Sequence, residues 1–123
     1  RPFVVVDAAM NDLIRPTLYE AWHDIVPARQ PAADAHEIVT DIVGPICKSG
    51  DFLAQKRTMP PLAAGDLVVV KSAGAYGAVM SSTYNSRPLV PETLVDGDRY
   101  AVVRPRQTYE QLIGADHVPA WLE

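Results

Sequence analysis

Arg15 and Tyr19 stand four residues apart in the segment Arg15-Pro16-Thr17-Leu18-Tyr19. On a helix that spacing puts both side chains on one face. A guanidinium beside a phenol can hold a carboxylate, the guanidinium through two parallel N–H bonds; a solvated surface pair has the same spacing. Cys47 lies between two turn signals, Gly44-Pro45 and Ser49-Gly50-Asp51, with Lys48 next to it. A loop thiol beside an ammonium favours its thiolate and can react. The same residue would also serve as a small buried hydrophobe at the end of a strand. Tyr76 is enclosed by small residues in Gly74-Ala75-Tyr76-Gly77. Small neighbours let a backbone or a phosphate approach the phenol, although a core tyrosine with its hydroxyl at the rim fits as well.

Other chemistries find little support. His23, His36 and His117 are scattered, without ligand spacing to one another or to Cys47, so no metal site is expected. Neither a G-x-G-x-x-G fingerprint nor a P-loop occurs. The formal charge of −4 and the absence of a basic run argue against nucleic acid as a partner. No apolar stretch approaches the ~18 residues of a membrane span. The opening residues lack the layout of a signal peptide. The single cysteine cannot form an internal disulfide, which points to a reducing cytoplasm.

The elements that must carry these groups are short. Phe3 to Val6 reads as a buried strand, and Pro16 opens a helix expected to run to about Trp22. Further strands are expected over 24–26, 36–43, 52–57 and 67–71, with a surface loop over 27–35. A short helix is expected over 74–80. The runs 87–95 and 99–104 flank Asp96-Gly97, a hairpin signal. Thr108 reads as the N-cap of a helix through Ile113, followed by a loosely held tail. Short strands with regularly spaced turn signals predict a mainly β fold, a sandwich or barrel with a few short helices. At 123 residues the chain is long enough for one domain. Its start, an apolar β-rich run without an initiator Met, reads as part of a longer polypeptide.

Three blocks in this order resemble one family, the diaminopimelate decarboxylases. Asp7-Ala8-Ala9-Met10-Asn11-Asp12-Leu13-Ile14-Arg15-Pro16-Thr17-Leu18-Tyr19 is similar to the block that joins their barrel domain to their β-domain. Val43-Gly44-Pro45-Ile46-Cys47-Lys48-Ser49-Gly50-Asp51 is similar to their cysteine-containing loop. Gly74-Ala75-Tyr76-Gly77, with Ser82-Thr83-Tyr84-Asn85-Ser86-Arg87-Pro88, is similar to their cofactor-proximal loop. The resemblance runs from about Phe3 to Leu112. It implies the carboxy-terminal β-domain of a fold-type III enzyme that depends on pyridoxal 5'-phosphate (PLP), a domain like that of alanine racemase. Residues 1–12 would be the last barrel strand and linker.

The resemblance further implies a homodimer that converts meso-2,6-diaminopimelate to L-lysine and CO2. An amino-terminal (β/α)8 barrel would hold the cofactor through a lysine. By the same resemblance, Arg15 and Tyr19 bind the substrate's distal carboxylate, and Tyr76 contacts the PLP phosphate or the substrate. Cys47 would reach the partner subunit's site and protonate the carbon that has lost CO2. One residue departs from the family. An acid usually follows the cysteine and accepts the substrate's distal ammonium, whereas here the position is Lys48. A unit charge pair at ~4 Å is worth about 4 kcal/mol at an effective dielectric near 20, so the reversal bears on substrate identity. Lys48, Lys56 and Lys71 match no cofactor-lysine motif, so the chain alone is expected to be inactive. Two other readings stay open: a non-catalytic assembly or regulatory β-domain, or a domain of a related basic amino-acid decarboxylase.

Overall fold

The β-branched runs become strands where a face can be buried. In the computed structural model, which describes residues 2–122, the first run forms β1 (Phe3–Val5). It lies parallel to β3 (Ile38–Val43), with Val4 opposite Ile42. β3 in turn pairs antiparallel with β4 (Phe52–Met59), giving the sheet order β1-β3-β4. A second ladder joins β2 (Ile25–Pro27) antiparallel to β5 (Val68–Val70), with Ile25 opposite Val70. Leu13, Ile25, Ile42, Leu53, Ala54 and Met59 meet in one core, and Val68 and Val70 pack against it. Each large side chain sealed there contributes about 1.5–3 kcal/mol. These elements form one compact unit, which ends at Ser81; the residues from Ser82 onward form a second.

β3 and β4 do not pair evenly. Thr40 faces Arg57 and Ile42 faces Ala54, so Asp41 alone opposes two residues of β4, a β-bulge. The extra residue is accommodated by Lys56 in the left-handed region, at φ 53°. The Asp41 carboxylate accepts the Lys56 N–H at 2.7 Å and fixes the bulge.

The helix α1 (Arg15–Tyr19) opens on Pro16, whose fixed φ suits a first turn. It stops earlier than the predicted Trp22. Glu20 turns left-handed at φ 55°, and the backbone N–H groups of Glu20 and Ala21 return to the Arg15 carbonyl. Trp22, released from the helix, lies under the Arg57 guanidinium at 3.1 Å from carbon to ring centroid. Burial lowers the Arg57 pKa, and the nearby Asp24 carboxylate opposes that shift.

In the second unit, β6 (Glu92–Asp96) and β7 (Arg99–Arg104) form the predicted hairpin. Its turn is shifted by one residue: Asp96 ends β6 opposite Arg99, and Gly97 and Asp98 make the loop. Gly97 takes the positive φ, 62°, while Asp96 uses its carboxylate to pair with Arg99. The predicted strand over 87–95 begins only at Glu92. α2 (Tyr109–Ile113) carries the expected cap. The Thr108 hydroxyl accepts the Gln111 N–H, and the Gln111 side chain accepts the Thr108 N–H. The tail contains a short 3-10 turn over Ala120–Leu122. The helix expected over 74–80 is one 3-10 turn, Ala78–Met80, because Tyr76 adopts φ 60° and breaks a helical path. The chain is mainly β, as its sequence implies, with the strands of the described residues distributed over three small sheets. No helix among the described residues is long and apolar enough to cross a membrane.

Candidate active site

The segment before α1 is wound into a tight turn by its own polar residues. The Asp12 carboxylate accepts the Ala9 N–H at 2.9 Å and an Asn11 side-chain N–H at 3.2 Å. The Leu13 N–H reaches the Ala9 carbonyl. That turn aims α1, which begins at Arg15 and ends one turn later at Tyr19. Arg15 is half-buried and Tyr19 is exposed.

The loop between β3 and β4, residues 44–51, carries Cys47. It is fastened at both faces. Ile46 turns inward and is buried with Ala9 and Met10. Asp51 is buried, and its two carboxylate oxygens accept separate backbone N–H groups, Met10 at 2.7 Å and Ile46 at 2.6 Å. On the other side, the Thr17 hydroxyl of α1 donates to the Gly50 carbonyl at 2.5 Å. Cys47 is exposed on the loop and is not a buried hydrophobe. Lys48 is exposed beside it.

Gly44 is required by this arrangement. A Cβ there would stand 2.8 Å from the Ala8 carbonyl and collide with the Asp51 carboxylate. Gly44→Ala is therefore expected to destabilise the fold by about 1–3 kcal/mol, measured as a lower denaturation midpoint at unchanged m-value.

Tyr76 is 63% exposed, and its backbone sits at φ 60°. A bulky residue in the left-handed region costs on the order of 1–3 kcal/mol. The Arg15 guanidinium lies over that ring, 5.8 Å from its centroid. Nothing stands within 4 Å of where a Gly74 side chain would project. Gly77 has a different cause, since a Cβ there would strike the Ala73 carbonyl.

Of the residues singled out from sequence, Arg15 and Tyr76 are thus brought into contact. Tyr19 is one helical turn from Arg15. Cys47 and Lys48 are linked to α1 through Thr17. Among the described residues, no hydrogen bond or ring contact joins Tyr19 or the Cys47 thiol to the Arg15–Tyr76 pair. Asp51, Thr17 and Gly44 hold the site together, and the sequence reading missed them as site residues; it took Ser49-Gly50-Asp51 only as a turn.

The model of the family described as "Pyridoxal-dependent decarboxylase, C-terminal sheet domain" matches residues 1–74. The chain belongs to this family. A diaminopimelate decarboxylase from Zymomonas mobilis is 50% identical to this sheet domain over 120 residues, which are 98% of the chain and 28% of that protein. One from Pseudomonas aeruginosa is 53% identical over 116 residues, 94% of the chain and 27% of that protein. The solved diaminopimelate decarboxylase of M. jannaschii in complex with L-lysine superposes with a TM-score of 0.90 at 34% identity. That alignment covers 98% of the sheet domain and 27% of the solved chain. The sheet domain therefore spans little more than a quarter of the length of these relatives.

Set against pyridoxal phosphate, the residues present fit one edge of a site. Tyr76 offers a phenol on an exposed turn, nothing fills the space at Gly74, and Arg15 supplies a fixed cation above the ring. The three lysines, Lys48, Lys56 and Lys71, are all exposed on other segments.

Proposed function

We propose that this sheet domain completes the active site of a diaminopimelate decarboxylase, which releases CO2 from meso-2,6-diaminopimelate and leaves L-lysine. The observation that carries the reading is Tyr76. Its backbone strain is not offset by burial of its ring, and it is held under a cationic side chain. Left-handed backbones also occur at Glu20 and Lys56, where a helix end and a bulge use them; at Tyr76 the turn presents an exposed phenol beneath a guanidinium. The M. jannaschii relative solved with L-lysine supports the choice of substrate.

In this reading Arg15 and Tyr19 bind the distal carboxylate from one face of α1, the guanidinium bidentately. Tyr76 donates its hydroxyl to the cofactor phosphate or to the substrate, and its ring keeps Arg15 in place. Electron withdrawal as the C–CO2 bond breaks is the chemistry that pyridoxal phosphate supplies when bound. Cys47 then delivers its Sγ proton to that carbon, forming the C–H bond of lysine, and regains a proton from solvent. Cys47 is exposed and, among the described residues, makes no contact with the Arg15–Tyr76 pair, which supports a role in a site other than that of its own Arg15. A neighbouring subunit's site suits it. The exposed Leu94, Val95, Tyr100, Val102 and Val103 of the β6–β7 hairpin support a partner surface, because an isolated two-stranded hairpin is only marginally stable in water. With a cation at Lys48, this position does not accept the distal ammonium, and another residue must do so if diaminopimelate is the substrate. A lone thiol suits the reducing cytoplasm.

The test compares the 123-residue chain with a full polypeptide in which it follows its barrel domain. With pyridoxal phosphate, only the full polypeptide is expected to release CO2 from diaminopimelate. Turnover by the isolated chain, or none by the full polypeptide, would overturn the reading.

A further inference from the structure

The proton donor proposed above is exposed on a loop, and an exposed loop does not by itself hold a thiol to within a fraction of an ångström. Something must set its position. Asp51 is the group so placed. It is 4% exposed, and its two oxygens are taken by backbone N–H groups from two different segments. One of them, Ile46, is the residue immediately before Cys47. The other, Met10, belongs to the turn that aims α1. The backbone of Asp51 repeats the closure, since its N–H reaches the Lys48 carbonyl and its own carbonyl accepts the Gly44 N–H. Residues on both sides of Cys47 are therefore tied to Asp51, Ile46 through the carboxylate and Lys48 through the backbone N–H. A simple turn needs none of this: Ser49-Gly50 alone would reverse the chain. A buried carboxylate is costly without partners, and here the Met10 and Ile46 N–H groups supply them.

We infer that Asp51 is a positioning residue, which fixes the Cys47 thiol relative to the Arg15–Tyr19 helix, with Thr17 as the second tie. The inference rests on Cys47 being the proton donor, and its test separates the two. In the assembled, cofactor-loaded full polypeptide, Asp51→Asn keeps the shape but turns an NH2 group toward one of the two N–H donors. Displacement of a reacting group by about 1 Å costs up to ~100-fold, so kcat is expected to fall about 30-fold while KM stays within about threefold. The rate of Cys47 alkylation by iodoacetamide, read by peptide mapping, is expected to change about tenfold or more.

A purely structural role would lower the unfolding midpoint and leave both kcat per folded site and the alkylation rate unchanged; that result overturns the inference. If Asp51→Asn does not fold, Thr17→Val removes only the hydroxyl tie, and the same shift in Cys47 alkylation is expected. An unaltered rate in that variant refutes the inference equally. If Cys47→Ala retains full kcat, the proton-donor reading fails on its own, and alkylation alone then decides the role of Asp51.

Discussion

Replacing Arg15 by methionine in the full polypeptide is expected to lower kcat/KM for diaminopimelate by about 10²–10³-fold, or roughly 3–4 kcal/mol. The size follows from what the guanidinium does. A bidentate, charge-assisted pair loses about 1.5–3 kcal/mol per hydrogen bond when one partner is removed, and the substrate carboxylate is left unpaired in a closed cleft. Methionine keeps most of the volume and the apolar stem, so the helix α1 and its contact with β4 should persist. A lost cation over Tyr76 adds a second effect, because the ring that Arg15 now covers at 5.8 Å would be free to reorient. The control is a substrate without the distal carboxylate, such as D-lysine, which carries only the carboxylate that is released. Against it the same variant should lose little, since the group that Arg15 holds is absent. Equal losses on both substrates would mean that Arg15 acts through the fold rather than on the carboxylate.

Cys47→Ala is expected to reduce kcat by about 10²–10³-fold and to leave KM within about threefold, the signature of a group that acts on a proton in the transition state. Alanine removes only the thiol. Ile46 still anchors the loop in its small core with Ala9 and Met10, and Asp51 still binds both backbone N–H groups. Stability should therefore be nearly unchanged, because the side chain removed is exposed. A fall in stability, or a loss expressed in KM, would place Cys47 in the scaffold and take the proton transfer elsewhere.

The placement of both residues, on a helix and on an exposed loop, was legible in the sequence because the signals are local. Arg15 and Tyr19 show a helical spacing, and Cys47 sits between turn residues. The hairpin was legible for the same reason: Gly97 next to Asp96 needs no distant partner to specify a reversal. What the sequence hid depends on contacts between segments far apart in the chain. Asp51 looks like the last residue of a turn, and its role appears only when Met10, 41 residues away, is folded against it. The bulge at Asp41 carries no composition signal, since a lysine rather than a glycine takes the left-handed position at Lys56. α1 ends at Tyr19 because Glu20, an ordinary helix former, is pulled left-handed by the chain's return toward the core. The strain at Tyr76, on which the functional reading turns, was likewise invisible: small neighbours explain why the conformation is tolerated but not that it is adopted.

Sharing between subunits is the most direct test of a thiol that serves a site other than its own. Full-length Cys47→Ala and a full-length variant lacking the barrel's cofactor lysine are each expected to be nearly inactive. When the two are mixed under conditions that exchange subunits, one site in half of the dimers regains every group, so about a quarter of wild-type activity should return. Mixtures that stay at the level of the separate variants, although subunits have exchanged, would contradict the account.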